Sequence, residues 1–208
     1  MRIGVALLPT HSDIDRIVDF AYRAGSYMSQ APTLDREHHL PHLDLINTYI
    51  GPGDEHHDIL QLVLDDYLTR GRLLSHQYTA RLTHIDCHPD RLIFAYLARL
   101  RWINELADAA FTAVRPYIDQ NQIPHCTNTA ALNAHERANQ MIFGTRFLAE
   151  QHVPHIMLGV SPTRRLDPAI TDLADPGILG CTLTFDRIVV YAAADDGSID
   201  RIINSRNF

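Results

Sequence analysis

The sequence of 208 residues contains no lysine, since all 18 of its basic residues are arginines. This absence excludes Schiff-base catalysis and the lysine of a phosphate-binding P-loop. The chain is instead well supplied with histidine, of which it has 13, and histidine is the side chain that titrates near neutral pH. We therefore expect any acid–base chemistry in this protein to fall to histidines or to carboxylates.

Cysteine is also scarce, and the three present, Cys87, Cys126 and Cys181, form no CxxC pair. Their odd number and wide spacing indicate neither a disulfide framework nor a zinc ribbon. This usage predicts a reducing, cytoplasmic location. No metal site is expected either. Two groups could be drawn as ligands, His38 with His42 and Asp44, and the THIDCH run at 83–88, but neither has a recognised ligand spacing.

Long apolar runs and an excess of positive charge are missing as well. No run approaches the roughly 18 apolar residues of a membrane span, and the N-terminal apolar stretch of about six residues is too short for a signal peptide. The net charge of −7 argues against binding to long nucleic acid, which requires a basic surface. It leaves room for a nucleotide, an RNA end or another small molecule in a local pocket. The sequence does not indicate an oligomeric state.

Hydrophobic periodicity predicts an α+β protein with mostly antiparallel strands, folded as one domain over residues 1–208. Strands are predicted at 2–9, 42–50, 77–85, 91–98, 153–160, 182–194 and 199–204. Helices are predicted from Ser12 or Asp13 to about 30, and at 55–70, 101–117 and 129–140, with a short one possible after Pro168.

Two predicted strands begin with nearly the same residues. Residues 40–45 read LPHLDL and residues 153–158 read VPHIML, so each has the order apolar, proline, histidine, apolar, any residue, leucine. Side chains alternate along a strand, which places His42 with Asp44 on one face and His155 with Met157 on one face. A matched pair of histidines in this setting predicts a shared functional site.

These segments resemble the paired His-x-Thr/Ser-apolar motifs of the two-histidine phosphoesterases, a superfamily that includes the 2′-5′ RNA ligase-like proteins and cyclic nucleotide phosphodiesterases. The similarity extends over nearly the whole chain, from the first strand RIGVALLP, through the hairpin at 77–98, to Phe143 and Gly144 ahead of the second motif. It implies two lobes, with mostly antiparallel sheets around a central cleft and helices on the flanks. It also implies that His42 and His155 are the catalytic residues and that no cofactor is needed.

The chemistry of such a site explains the residue types. One imidazole takes a proton from the attacking hydroxyl or water, and the other donates a proton to the leaving oxygen. In the family, the Thr or Ser two residues after each histidine donates a hydrogen bond to the phosphate. This sequence has Asp44 and Met157 at those positions. A carboxylate repels a phosphate, and methionine cannot donate.

Other candidates for substrate binding are Arg164 and Arg165, which follow the second motif, and Tyr49 on the strand of the first. An arginine pair there is equally compatible with a solvated loop. Asp44 could orient His42 or contact the substrate, and Met157 is expected to line the cleft.

The leading function is therefore hydrolysis or formation of a 2′,3′-cyclic or 2′-5′ phosphodiester on a nucleotide or RNA end. Because both motif hydroxyls are replaced, two alternatives stay open. The scaffold could serve another small-molecule reaction, or it could be a non-catalytic protein that binds a nucleotide or a partner. An arginine-lined cleft would favour a phosphate, and an apolar or acidic cleft would favour the first alternative.

Overall fold

A computed structural model describes residues 1–29, 34–52, 58–69, 78–124, 132–148, 152–175, 177–194 and 197–208. Within these ranges the chain forms seven β-strands and five α-helices. The strands are β1 (Arg2–Pro9), β2 (Leu43–Tyr49), β3 (Tyr78–Cys87), β4 (Leu92–Leu97), β5 (His155–Val160), β6 (Thr182–Ala193) and β7 (Ile199–Asn207). The helices are α1 (His11–Ala24), α2 (Ile59–Thr69), α3 (Arg101–Val114), α4 (Ala134–Phe143) and α5 (Pro168–Ala174).

The strands form an antiparallel sheet in the order β2-β1-β6-β3-β4-β5, with β7 also paired to β6. Strand β3 connects its two parts, because residues 78–81 pair with β6 whereas later residues pair with β4. We call β1, β2, β6 and β7 the first lobe, and β4 and β5 the second lobe. The predicted α+β class with antiparallel pairing is confirmed.

Strand β1 is buried along almost its whole length, and its two faces have different partners. Ile3, Val5 and Leu7 pack into the main core with the helices. Ala6 and Leu8 point to the other side, into a smaller apolar cluster. Since side chains alternate, Arg2 and Gly4 share the face of Ala6 and Leu8. This second face of β1 continues into the cleft described below.

The two histidine-bearing strands lie at the two ends of the sheet and carry the same irregularity. In β2, Asp44 pairs with Ala6 and Ile46 pairs with Val5, so Leu45 is an extra, bulged residue. In β5, Leu158 is bulged in the same way, between Met157 and Gly159. Both leucines are buried. A bulge shifts the side-chain alternation by one residue, so beyond Leu45 the strand face of Asp44 continues with Asn47 and Tyr49 instead of with positions 46 and 48.

A close approach at Gly4 gives Tyr191 its position. Gly4 pairs with Asn47 on one side and with Tyr191 on the other. A Cβ atom at Gly4 would lie 2.3 Å from the Tyr191 ring, so the ring crosses directly over this glycine. The Tyr191 hydroxyl thereby reaches the neighbouring strand, where it accepts a hydrogen bond of 3.0 Å from Asn47 Nδ2.

The helix ends differ from those expected. Thr10, not Ser12 or Asp13, precedes α1, and Asp13 accepts a hydrogen bond from the Thr184 amide. That helix becomes a 3-10 turn at Gly25–Tyr27 instead of continuing to residue 30. Helix α3 likewise gives way to a 3-10 turn at Arg115–Tyr117, where Pro116 cannot donate a helical hydrogen bond.

Helix α4 is displaced towards the C-terminus relative to its prediction at 129–140, of which residues 129–131 lie outside the described residues. A capping box between Asn133 and Glu136 starts the helix, and Gly144 ends it with a φ of 71°. None of the helices in the described part of the chain combines the length and the apolar character that crossing a bilayer requires.

Gly4→Ala should destabilise the protein by roughly 1–3 kcal/mol, because the new methyl group would overlap the Tyr191 ring. Chemical denaturation measures the effect. Combining the change with Tyr191→Leu should cost less than the sum of the single changes. Gly25→Ala is the matched control, since nothing lies within 4 Å of its Cβ position and its φ is −57°. Equal effects at the two glycines would contradict the proposed overlap.

Candidate active site

A cleft of about 340 Å³ lies between the two lobes. His42 and Asp44 contribute to it from the first lobe, and His155 and Met157 contribute from the second. The other lining residues are Arg2, Leu45, Ile46, Asn47, Tyr49, Leu92, Phe94, Gln140, Gly144, Thr145, Arg146, Phe147, His152 and Gly197. The matched segments thus bring their histidines to one cavity.

Both histidines are anchored by the same hydrogen bond. Nδ1 of His42 lies 2.8 Å from the Leu40 carbonyl oxygen, and Nδ1 of His155 lies 2.6 Å from that of Val153. A carbonyl oxygen only accepts, so each Nδ1 must carry the hydrogen. Nε2 is therefore the nitrogen that gains or loses a proton in both rings. In each motif the accepting carbonyl is that of the residue before the proline.

The surroundings of His42 favour a protonated ring. Its Nε2 lies 3.6 Å from Oδ1 of Asp44 and 3.4 Å from the Tyr191 hydroxyl oxygen. Tyr191 has one hydroxyl hydrogen, which it donates to Asp44. Both neighbours therefore face Nε2 as acceptors, and an acceptor is best satisfied by an N–H group.

The pKa of Asp44 is consistent with an ionised carboxylate beside the protonated ring of His42. Burial raises the pKa of Asp44, but the charge of His42 and the hydrogen bonds from His42 and Tyr191 outweigh it, so the net shift is below the usual value. The attraction is mutual. An ionised Asp44 favours the protonated form of His42.

His155 has the opposite environment. Its ring lies 4.1 Å from the ring of Phe94 and 5.2 Å from that of Phe147, measured between centroids. Burial among these rings lowers the pKa of His155 to about 4, against a weaker opposing effect of its bond to the Val153 carbonyl. The ring is neutral at pH 7, and its Nε2 carries a lone pair that can accept a proton.

His152 joins the two edge strands. Its Nε2 donates a hydrogen bond of 2.9 Å to the backbone carbonyl of Asp44, so a residue just before β5 holds β2. Its Nδ1 is buried and has no hydrogen-bond partner among the described residues. Burial lowers the pKa of His152, so the neutral ring suits this place. Sequence reasoning missed His152, although it stands three residues before His155.

Two arginines in the lining were also missed. Arg2 lies on β1, on the same face as Gly4. Side-chain alternation along this strand is the sequence signal that could have found it. Arg146 follows Gly144 in the segment after α4 and forms an ion pair with Asp90. No sequence pattern pointed to Arg146.

The predicted binding residues divide into two groups. Asp44, Met157 and Tyr49 line the cleft with the histidines. Arg164 and Arg165 are exposed in the segment between β5 and α5, outside this lining. Across the described ranges, no group of three or more His, Cys, Asp or Glu side chains is arranged to hold a metal ion.

Comparisons with solved structures identify the architecture. A protein of Thermus thermophilus, TT0787, aligns with a TM-score of 0.59 at 16% identity, over 100% of this chain and 97% of that one. Escherichia coli LigT bound to 3′-AMP aligns with a TM-score of 0.57 at 13% identity, over the same shares of the two chains. A further phosphoesterase gives 0.56 at 12% identity, again over 100% and 97%.

This chain has the two-histidine phosphoesterase fold. The resemblance inferred from the paired motifs is thereby confirmed for the architecture. No protein-family model and no curated protein sequence matches the chain. What this two-histidine phosphoesterase fold does here therefore has to be argued from the cleft itself.

The low pKa of His155 predicts a pH-dependent stability. Between about pH 6.5 and pH 4 the unfolded chain binds a proton at His155 that the folded chain does not. The free energy of unfolding therefore falls as the pH drops through this window, by roughly 2–3 kcal/mol from this residue. His155→Gln should reduce the loss of stability between pH 7 and pH 4.5, measured by denaturant unfolding. The exposed His38 provides a control as His38→Gln, and an identical response in the two variants would contradict the assignment.

Proposed function

We propose that this protein is a two-histidine phosphoesterase-type enzyme acting on a 2′,3′-cyclic or 2′-5′ phosphodiester of a nucleotide or RNA end. The observation that carries the proposal is the pair of identically anchored imidazoles, His42 and His155, in one cleft. In-line exchange of oxygens at phosphorus needs one proton acceptor and one proton donor. A neutral and a protonated imidazole supply them without a cofactor.

The two environments support a division of roles. His155, neutral and enclosed by aromatic rings, accepts the proton of the attacking water or hydroxyl at Nε2. His42, whose Nε2 faces Asp44 and Tyr191, donates its proton to the leaving oxygen as the bond from phosphorus to that oxygen breaks. Each turnover leaves the proton on His155 and removes one from His42, and exchange with solvent restores both rings.

The replacement of the motif hydroxyls fits this division. The Asp44 carboxylate accepts from Tyr191 and lies beside His42, so its negative charge acts on the histidine rather than on the phosphate. Arg2 and Arg146 line the same cleft, so a phosphorylated substrate also meets positive charge there. A cleft lined by arginine favours a phosphate ligand over a neutral one.

The fold neighbours are consistent with this class of ligand. Structures of Escherichia coli LigT hold ATP, phosphate, 3′-AMP and NADP⁺. Those ligands belong to LigT, and identities of 10–13% transfer none of them to this chain. They support testing nucleotides first.

A second candidate is the same scaffold used on a non-phosphate substrate. The observation in its favour is the apolar wall formed by Met157, Phe94 and Phe147 beside His155. A substrate placed against that wall meets no hydroxyl donor from the second motif.

Turnover of a substrate panel tests the proposal. Ribonucleoside 2′,3′-cyclic phosphates, 2′-5′-linked dinucleotides and uncharged esters would be incubated with the protein and followed by chromatography. We expect turnover of the phosphodiesters, reduced about 10²–10⁴-fold in kcat by His42→Ala or His155→Ala. The exposed His38→Ala variant is the control. Turnover of uncharged esters alone would favour the second candidate, and nucleotide binding without turnover would favour a binding protein.

The pH–rate profile tests the division of roles. We expect a bell-shaped kcat/KM, with an acidic limb near pH 4–5 because His155 must be neutral. The alkaline limb reports the loss of the proton on His42, although apparent values belong to the interacting pair. Asp44→Asn should move this limb to lower pH, since the imidazolium loses its stabilising carboxylate. Asp172→Asn, an exposed carboxylate on α5, should leave the profile unchanged. An alkaline limb that ignores Asp44→Asn would refute His42 as the acid.

A further inference from the structure

The cleft has a second charged region besides the histidines and Asp44. It is formed by Arg2 and Arg146, which reach the cleft from different parts of the fold. We call these two residues the arginine pair.

Arg146 is fixed in place by a partly buried network. Its Nη1 donates to Oδ2 of Asp90. The other oxygen of Asp90 lies 2.8 Å from Nδ1 of His88 and accepts from the amide of Leu92 at 3.2 Å. His88 is itself buried. Asp90 is the acceptor that the described residues offer to Arg146, and a guanidinium has five N–H groups. The remaining ones can serve a ligand, and the side chain keeps an exposed fraction of 26%.

Arg2 is held just as firmly. Its Nε donates to Asn47 Oδ1 at 2.8 Å, and its Nη1 donates to the Ala194 carbonyl at 3.2 Å. The guanidinium carbon lies 5.7 Å from the centre of the Tyr49 ring. A cation fixed by neighbours before a ligand arrives loses little further conformational entropy on binding.

The strand register separates Arg2 and its anchor Asn47 from the reacting end. Asn47, which holds Arg2, pairs with Gly4, whereas Asp44 pairs with Ala6. Two residues of β1 therefore separate the two levels, roughly 7 Å at the rise of a β-strand. A phosphorus held between His42 and His155 lies at the level of Asp44 or beyond, so Arg2 faces a different part of the substrate, together with Arg146, on which the charge of Arg2 acts.

We propose that the arginine pair binds a second, non-reacting phosphate of the substrate. This inference rests on the proposed function and specifies its substrate class, a ribonucleoside cyclic phosphate or 2′-5′-linked nucleotide that also carries a 5′-phosphate. A single ribose spans such a separation between its 5′ oxygen and its 2′ and 3′ oxygens.

Electrostatics supports an anion at this place. Burial lowers the pKa of Arg146, and the positive charge of Arg2 lowers it further. The two guanidiniums thus repel one another across a space from which water is partly excluded. A phosphate between them relieves the repulsion and matches the planar donor geometry of arginine.

A matched pair of substrates tests the inference. Adenosine 2′,3′-cyclic phosphate would be compared with the same compound carrying a 5′-phosphate, and the readout is the ratio of their kcat/KM values. We expect the 5′-phosphorylated compound to be preferred about tenfold or more. Arg146→Gln should bring the ratio close to one, and Arg2→Gln should lower it as an independent variant. Arg101→Gln, on a side chain that is 80% exposed, should keep the wild-type ratio.

Direct binding separates this inference from the proposed function. By calorimetry, adenosine 5′-phosphate should bind more tightly than adenosine, and Arg146→Gln should remove most of the difference. Turnover of both cyclic substrates at equal kcat/KM would overturn the second-phosphate site while leaving the phosphodiesterase proposal intact. Absence of turnover together with arginine-dependent binding of adenosine 5′-phosphate would reject the reaction and support the site. Equal binding of adenosine and its 5′-phosphate would overturn the site whatever the enzyme does.

Discussion

The Asp44 carboxylate is the group around which the first-lobe wall of the cleft is arranged. A partly buried negative charge needs partners, and Oδ1 of Asp44 lies beside both His42 Nε2 and the Tyr191 hydroxyl. Tyr191 reaches it because Gly4 leaves room for the ring to cross β1. Asn47 donates to the same hydroxyl and accepts from Arg2. One continuous set of hydrogen bonds therefore extends from the first histidine to the first arginine.

The wall of the cleft in the second lobe also positions a histidine, but it surrounds the ring with different residues. As in the first lobe, the histidine directly follows a proline and its Nδ1 is bonded to a backbone carbonyl. The bulged leucine also follows at the same position of the motif. What differs is the surroundings of the ring, which include aromatic side chains around His155 and polar groups at Nε2 of His42. A symmetric scaffold thus carries an asymmetric pair of imidazoles. Two rings of equal protonation could not serve as acid and base in the same step, so the asymmetry is a requirement of the proposed chemistry.

The sequence sufficed for the features that depend on local pattern. The repeated Pro-His segments located His42, His155, Asp44 and Met157 at one cleft, and strand alternation predicted the α+β class. Local sequence patterns do not reveal contacts between distant strands, and for this reason Tyr191 and His152 were missed. Arg164 and Arg165 were proposed because they follow the second motif along the chain, yet both are exposed and neither is among the lining residues. Strict alternation from His42 also cannot place Tyr49 on the cleft face, because the bulge at Leu45 is set by pairing with β1.

Replacing a motif hydroxyl by the Asp44 carboxylate introduces a negative charge that neighbouring groups must neutralise. Two unit charges 4 Å apart interact by about 4 kcal/mol at an effective dielectric constant near 20, so an isolated Asp44 would work against a phosphate. Paired with a protonated His42, the carboxylate presents a nearly neutral dipole instead. In the proposed reaction, positive charge that attracts a phosphorylated substrate comes from Arg2 and Arg146, the permanently charged cations in the lining, at a different level of the cleft from the reacting phosphorus. In the proposed reaction, the loss of the hydroxyl donors is therefore compatible with phosphate chemistry because His42 neutralises the carboxylate beside the reacting phosphorus, while the arginines bind the substrate through its second phosphate.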